Sequence, residues 1–225
     1  MSQLPGIAQL DTWQLIALAG ALGWASGIRL YAVLFVVGAL GWFGWVDLPK
    51  GLLVLAHPWV LGASGFMVAM EFFADKVPGM DSVWDFIHTF IRIPAGAALA
   101  AGVFSDAPGA ATLVAAILGG SLAAGAHLAK SGARALINTS PEPFSNWAAS
   151  FGEELAVGTM LWLAFTHPIA AGIVLLAIVV FMIWLIPKVW RFIGRMIRRV
   201  TGGMSSSAPP LGDAADSRRQ PTPRV

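Results

Sequence analysis

The chain has 225 residues, 57% of them hydrophobic, only 12% charged, with a net charge of +2 and no cysteine. A soluble domain carries about 25% charged residues, so this composition points to a polytopic helical membrane protein. The apolar runs are too long and too poorly alternating for a transmembrane barrel. The absence of cysteine excludes disulfides, thiolate catalysis and Cys-ligated zinc, and the small net charge implies no nucleic-acid partner.

The N-terminus, Met1-Ser-Gln-Leu-Pro-Gly, lacks the basic stretch that opens a signal peptide. A spanning helix needs about 20 mostly apolar residues. Seven segments qualify, near Trp13–Ala25, Leu30–Trp45, Pro58–Val77, Thr89–Phe104, Ala110–Ala129, Gly152–Phe165 and Pro168–Ile186. The first two form one apolar run broken at Ser26-Gly27, so two short spans, a re-entrant pair and one long tilted helix are all open. Pro94 followed by Ala95-Gly96 weakens the fourth segment. Beyond Pro187, Lys188, Arg191, Arg195 and Arg198 recur at helical spacing, predicting a basic amphipathic helix at a membrane interface. The excess of Lys and Arg places that helix in the cytoplasm. Counting back over seven spans puts the N-terminus outside and Arg29, Lys76, Arg92, Lys130 and Arg134 on the cytoplasmic side. Residues 201–225, rich in Gly, Ser, Pro and Ala, predict a disordered cytoplasmic tail.

The two halves resemble each other. Gly20 to Arg29 matches Gly125 to Arg134, His57-Pro58 matches His167-Pro168, and Val83-Trp84-Asp85-Phe86-Ile87 matches Val189-Trp190-Arg191-Phe192-Ile193, at offsets between 105 and 110. The expected architecture is an all-α membrane protein of about seven helices. A first three-helix repeat (10–88) and a second (106–200) are joined by a linking helix (89–105). Because three plus one is even, the two repeats run parallel through the membrane.

Candidate chemistry concentrates where carboxylates approach the bilayer. Glu71 and Asp75 share one helix face at i, i+4. Asp81 and Asp85 repeat the spacing, with His88 close by, beyond a turn expected at Val77-Pro78-Gly79-Met80. Carboxylates one turn apart repel, so one takes a proton or a cation lies between them. Glu71, Asp75, Asp81, Asp85 and His88 are thus the proton- or cation-binding candidates. The bland alternative is that Lys76, Arg92, Lys130 or Arg134 neutralises them. His127, Lys130 and Arg134 share one face and, with Arg29, are candidates to pair with the acids or hold an anion. A second polar cluster comprises Glu142, Ser145, Asn146 and Glu154. Ser150 and Glu153 fit a capping box opening the next helix, which leaves Glu154 as the inward-facing acid.

Asp81-x-x-x-Asp85 is reminiscent of the metal–pyrophosphate carboxylates of membrane prenyl-transferring enzymes, a weak pattern that makes Asp81, Asp85 and Glu71 candidate ligands for a divalent cation. His57 and His167 fit helix starts at His-Pro. The Gly/Ala-rich segments predict close helix packing and a homo-oligomer through the same faces. The tryptophans fit interfacial anchors.

Four stretches resemble a family of bacterial integral membrane proteins known as domain of unknown function 4126. They are Gly27-Ile-Arg29-Leu-Tyr31, Glu71 through Asp85 with His88-Thr-Phe-Ile-Arg92, His127-x-x-Lys130, and Ser140-Pro-Glu142-Pro-Phe-Ser-Asn146. The resemblance covers about residues 10–200. It implies a multi-pass protein of the bacterial inner membrane and carries no established activity or cofactor. The leading expectation is a small transporter or channel-like protein. Its alternatives are a metal-dependent membrane enzyme acting on a lipid phosphate and a structural or assembly protein.

Overall fold

The computed structural model describes the backbone of residues 10–77, 80–139 and 143–205. These form six α-helices and one 3-10 segment: α1 (Thr12–Trp42), the 3-10 turn Lys50–Ala56, α2 (Pro58–Ala74), α3 (Met80–Val103), α4 (Gly109–Ile137), α5 (Pro143–Thr166) and α6 (Pro168–Ser205). Residues up to Val189 form one compact unit and those from Trp190 a second. The described part of the second is the basic end of α6, where Arg191, Arg195 and Arg198 are exposed. Among the described residues, four helices are long and apolar enough to cross a membrane. They lie at Thr12–Trp42, Val83–Val103, Gly109–Ile137 and Pro168–Arg195; the 3-10 turn with α2 makes a fifth if that pair, bent by 69°, counts as one.

Local chemistry sets the helix starts. Asp11 caps α1 with a full capping box: Asp11 Oδ1 accepts from Gln14 N at 2.9 Å, and Gln14 Oε1 accepts from Asp11 N at 3.0 Å. His57 caps α2, its Nδ1 accepting from Trp59 N at 3.4 Å, with Pro58 in the first turn where no N–H is needed.

The first two expected spans are two helices joined end to end at one non-helical residue, Arg29, which has φ −139° and ψ 75°. That break reverses the chain. Leu15, near the start of α1, and Leu48, just past its end, line one cleft with Phe104, and Leu48 also packs on Gly41. A straight helix would hold residues 15 and 41 about 39 Å apart. The limbs 12–28 and 30–42 therefore run in opposite directions. Every residue from Ala17 to Gly27 is buried, as expected of a helix that is apolar all round and packed on every side.

The neighbours pack closely around this limb. A Cβ on Gly23 would lie 2.7 Å from Gly119 Cα, and one on Gly27 would land on the Ala123 carbonyl. Gly96 of α3 seats against Ser26 and Ala123. These matches also give direction. Limb 12–28 runs parallel to α4, because Gly23 meets Gly119 and Gly27 meets Ala123. α6 runs the same way, with Gly172 on Ala17 and Leu175 on Gly20. Limb 30–42 runs against α2, with Gly38 at Leu61 and Phe35 at Gly65. The ends of α2 and α4 and the starts of α3 and α5 thus gather at one end of the bundle, beside Arg29.

Three expected boundaries differ. α3 continues unbroken from Met80 through Pro94 to Val103, so the division expected at 88/89 falls inside a helix. α6 passes through Pro187 and reaches Ser205, extending into the expected tail. α5 begins at Pro143, two turns before Ser150, so Ser150 is interior and caps nothing. The turn residues Pro78 and Gly79, and the tail from 206, lie outside the described residues.

Candidate functional site: a buried charge network at the helix break

Arg29 sits where α1 reverses, and its guanidinium is 4% exposed. Nη2 lies 2.9 Å from Asp75 Oδ2, 3.4 Å from Glu153 Oε2 and 3.6 Å from Glu154 Oε1. It also donates to Ser150 Oγ at 2.9 Å and to the Ser150 carbonyl at 3.2 Å. The interrupted helix leaves carbonyls without intrahelical donors, and Lys130 Nζ donates to one of them, Ile28 O, at 3.2 Å. The same ammonium lies 3.3 Å from both Asp75 Oδ2 and Asp85 Oδ1 and 3.4 Å from Glu153 Oε2. One lysine thereby ties α1, α3, α4, α5 and the end of α2 together.

Arg92 forms the second centre and is fully buried. It donates through Nη2 to Glu71 Oε1 and through Nη1 to Asp85 Oδ1 at 2.7 Å. Arg134 donates from Nε to Glu153 Oε1 at 2.9 Å and from Nη1 to the Asp75 carbonyl at 3.1 Å. The same Nη1 reaches the Asn146 side-chain oxygen at 3.2 Å. His127 is buried among them, with Nε2 2.6 Å from Thr89 Oγ1 and Nδ1 3.4 Å from Arg92 Nη1. Four buried cations (Arg29, Arg92, Lys130, Arg134) thus meet four carboxylates (Glu71, Asp75, Asp85, Glu153), with Glu154 at the rim. Near-neutrality is what burial demands, since an isolated charge at the bilayer centre costs about 2.5–3.5 kcal/mol on insertion scales and a buried ion needs a partner. Pairing is incomplete at the level of atoms. Glu71 Oε2, Asp75 Oδ1 and Asp85 Oδ2 are buried without a hydrogen-bond partner in the protein.

The sequence-derived candidates fall into distinct groups. Glu71, Asp75, Asp85, Arg29, Arg92, His127, Lys130, Arg134, Asn146 and Glu154 converge. His88 is buried but turned away, stacked on Trp84 at 4.3 Å and edge-on to Tyr31 at 5.6 Å, with Nδ1 2.8 Å from the Trp84 carbonyl. Lys76, expected as an ion-pair partner, lies over the Phe72 ring and 4.7 Å from the Phe151 centroid, and donates to Ser150 Oγ at 3.4 Å. Ser145 is half-buried in the first turn of α5. The Asp81 side chain and all of Glu142 lie outside the described residues.

Glu153 is the member that sequence reasoning assigned elsewhere. Its spacing from Ser150 imitates a capping box, yet Ser150 is helix interior and its hydroxyl serves Arg29 and Lys76. The signal was present: Glu153 and Glu154 are the only charges in an otherwise apolar segment.

The metal reading finds no support in the donor set. Arg92 bridges Glu71 and Asp85, so a guanidinium stands where a dication would have to join them. Among the described residues, no three His, Cys, Asp or Glu side chains converge as metal ligands.

A cleft of about 410 Å³ opens onto the network between limb 30–42, α2 and α5, with Arg29, Glu71 and Glu154 as its charged lining. An apolar groove of about 680 Å³ lies between limb 12–28, α4 and α6. The family model described as a domain of unknown function (DUF4126) matches residues 16–188. No curated protein and no solved structure matches the chain.

Proposed function

We propose that this chain, which belongs to the DUF4126 family, is a small membrane transporter or channel-like protein whose buried charge network binds a proton or cation. The observation that carries the reading is the coincidence of that network with the break at Arg29. Discontinuous helices, whose broken ends face the site, are how many transporters build ion and substrate sites inside a bilayer. Ionisable residues inside a membrane are functional candidates by default.

The directions of the limbs support seven alternating traverses: limb 12–28, limb 30–42, α2, α3, α4, α5 and α6. In that arrangement limb 12–28, limb 30–42 and α2 correspond to α4, α5 and α6, around a linking α3. The parallel repeat then pairs Arg29 with Arg134, and both arginines meet Asp75 and Glu153. The end of the bundle bearing Arg29, Lys76, Arg92, Lys130 and Arg134 is cytoplasmic by the positive-inside rule, which puts the N-terminus outside.

Transport requires the carboxylates to exchange partners, with Glu71 Oε2, Asp75 Oδ1 and Asp85 Oδ2 accepting the proton or cation. A specific observation also favours a structural role: every carboxylate of the network already faces a cation. Flux separates the two. Purified protein in proteoliposomes should dissipate an imposed proton or monovalent-cation gradient, and Glu71→Gln should cut that flux at least tenfold in protein that still folds and inserts, at a lower melting temperature because Arg92 loses a charged partner. No flux from the unmodified protein, or full flux from a folded Glu71→Gln variant, overturns the transport reading.

A further inference from the structure

We infer that the cleft between limb 30–42, α2 and α5 is a binding site for a small organic monocation with an apolar body, such as a primary amine or quaternary ammonium. The inference rests on the transport reading and deepens it by naming the solute class.

The dimensions and lining fit. At about 410 Å³ the cleft has the volume of a small-molecule site, and such sites combine apolar walls with a few placed polar groups. Its walls are Val36, Val68, Phe72, Val157 and Leu161, and its charged members are Arg29, Glu71 and Glu154. Arg29 is already engaged by Asp75, Ser150 and Glu153. Glu71 is 1% exposed; Arg92 holds its Oε1, and its Oε2 has no protein hydrogen-bond partner.

The sign of the solute follows from the carboxylates at the cleft. Five carboxylates (Glu71, Asp75, Asp85, Glu153, Glu154) face four cations within ion-pair distance. Lys76, the fifth cation of this region, has no carboxylate within ion-pair distance among the described residues; it interacts at longer range with Glu154 and rests on the Phe72 ring, which also lines the cleft. Counted with Lys76 the five acids and five cations balance, so a cationic solute is drawn by Glu71 Oε2 and Glu154 at the cleft itself. A ring that attracts the Lys76 ammonium also suits a bound ammonium group. An anion would meet the carboxylates of Glu71 and Glu154, and a neutral solute would gain no ion pair from them.

Gly158 allows a test that leaves the network intact. It lines the cleft, and a Cβ there meets nothing within 4 Å, so Gly158→Leu fills the cleft without a backbone clash. Full-length protein in lipid nanodiscs would be titrated calorimetrically with benzylammonium, and with benzyl alcohol and benzoate as neutral and anionic matches. The expected result is saturable binding of benzylammonium alone. Gly158→Leu should abolish it at an unchanged melting temperature, and Glu154→Gln, a change at the exposed rim, should weaken it. Partition into the lipid is common to all the proteins and cancels in the comparison. No saturable benzylammonium binding, equal binding of benzyl alcohol or benzoate, or unchanged binding by Gly158→Leu overturns the site. The outcome is separable from that of the transport reading: gradient dissipation by protein that binds no benzylammonium saturably retains transport and removes this cleft, whereas saturable binding without flux retains the cleft and removes transport.

Discussion

At the scale of single residues, the network is held by groups that each serve several partners, so single substitutions act at several contacts. Lys130 reaches Asp75, Asp85, Glu153 and the Ile28 carbonyl. Lys130→Met keeps the apolar stem and removes the charge, leaving buried carboxylates uncompensated. Breaking a buried pair costs about 3–5 kcal/mol, and denaturant titration of the protein in micelles should show a loss of that size; a loss under about 1 kcal/mol would contradict the arrangement. Gly27 makes the closest approach of α1 to α4, against the Ala123 backbone. Gly27→Ala should destabilise by about 1–3 kcal/mol, the usual cost of overpacking, read by the same titration. That Glu71, Asp75, Asp85, Arg92 and Lys130 need partners is legible in the sequence, because charges are scarce in apolar sequence and each must be compensated. Glu153 was not, because a local spacing cannot tell a helix start from a helix interior.

At the scale of elements, the decisive feature is the reversal of α1. The run from residue 12 to residue 42 is apolar throughout, and apolarity alone is compatible with one span or two. Cross-linking separates them, because the chain contains no native cysteine. A Leu15→Cys, Leu48→Cys pair should cross-link efficiently with a short bifunctional thiol reagent. A straight α1 would hold these positions well over 30 Å apart at 1.5 Å per residue and give no product. The prolines show the opposite failure of local reading. Read locally, Pro94 weakens its segment and Pro187 ends one, because proline removes a donor and clashes with the preceding turn, yet both lie inside helices. Packing tolerates proline in membrane helices, where neighbouring groups and local adjustment satisfy the freed carbonyls.

At the scale of the whole molecule, limb 12–28 packs against α3, α4 and α6 and limb 30–42 against α2, while α6 keeps most of its described side chains exposed. Charge is segregated by end. The network occupies the end that gathers Asp75, Asp85, Arg134 and Asn146, and the opposite end carries the exposed Lys50–Asp106 pair at 3.0 Å. The traverse reading predicts sidedness. Cysteines placed singly at Lys50 and Asp106 should react with a membrane-impermeant thiol reagent from one side of sealed vesicles, and one at the exposed Thr139 from the other. Labelling of all three from the same side would overturn the crossing by α4.

The amino-acid sequence by itself determined the class of this protein, the rough extent of its apolar segments and the small set of charged residues that needed an explanation. These follow from local terms: helix length against bilayer thickness, and the cost of each charge wherever it lies. Only the tertiary structure decided which carboxylate meets which cation, that α1 turns back at Arg29, and that Glu153 belongs to the network. Those outcomes depend on contacts between distant positions, such as Arg29 with Ser150, 121 residues apart. Many pairings of five acids with four cations satisfy the same composition, and packing around the break in α1 selects one of them.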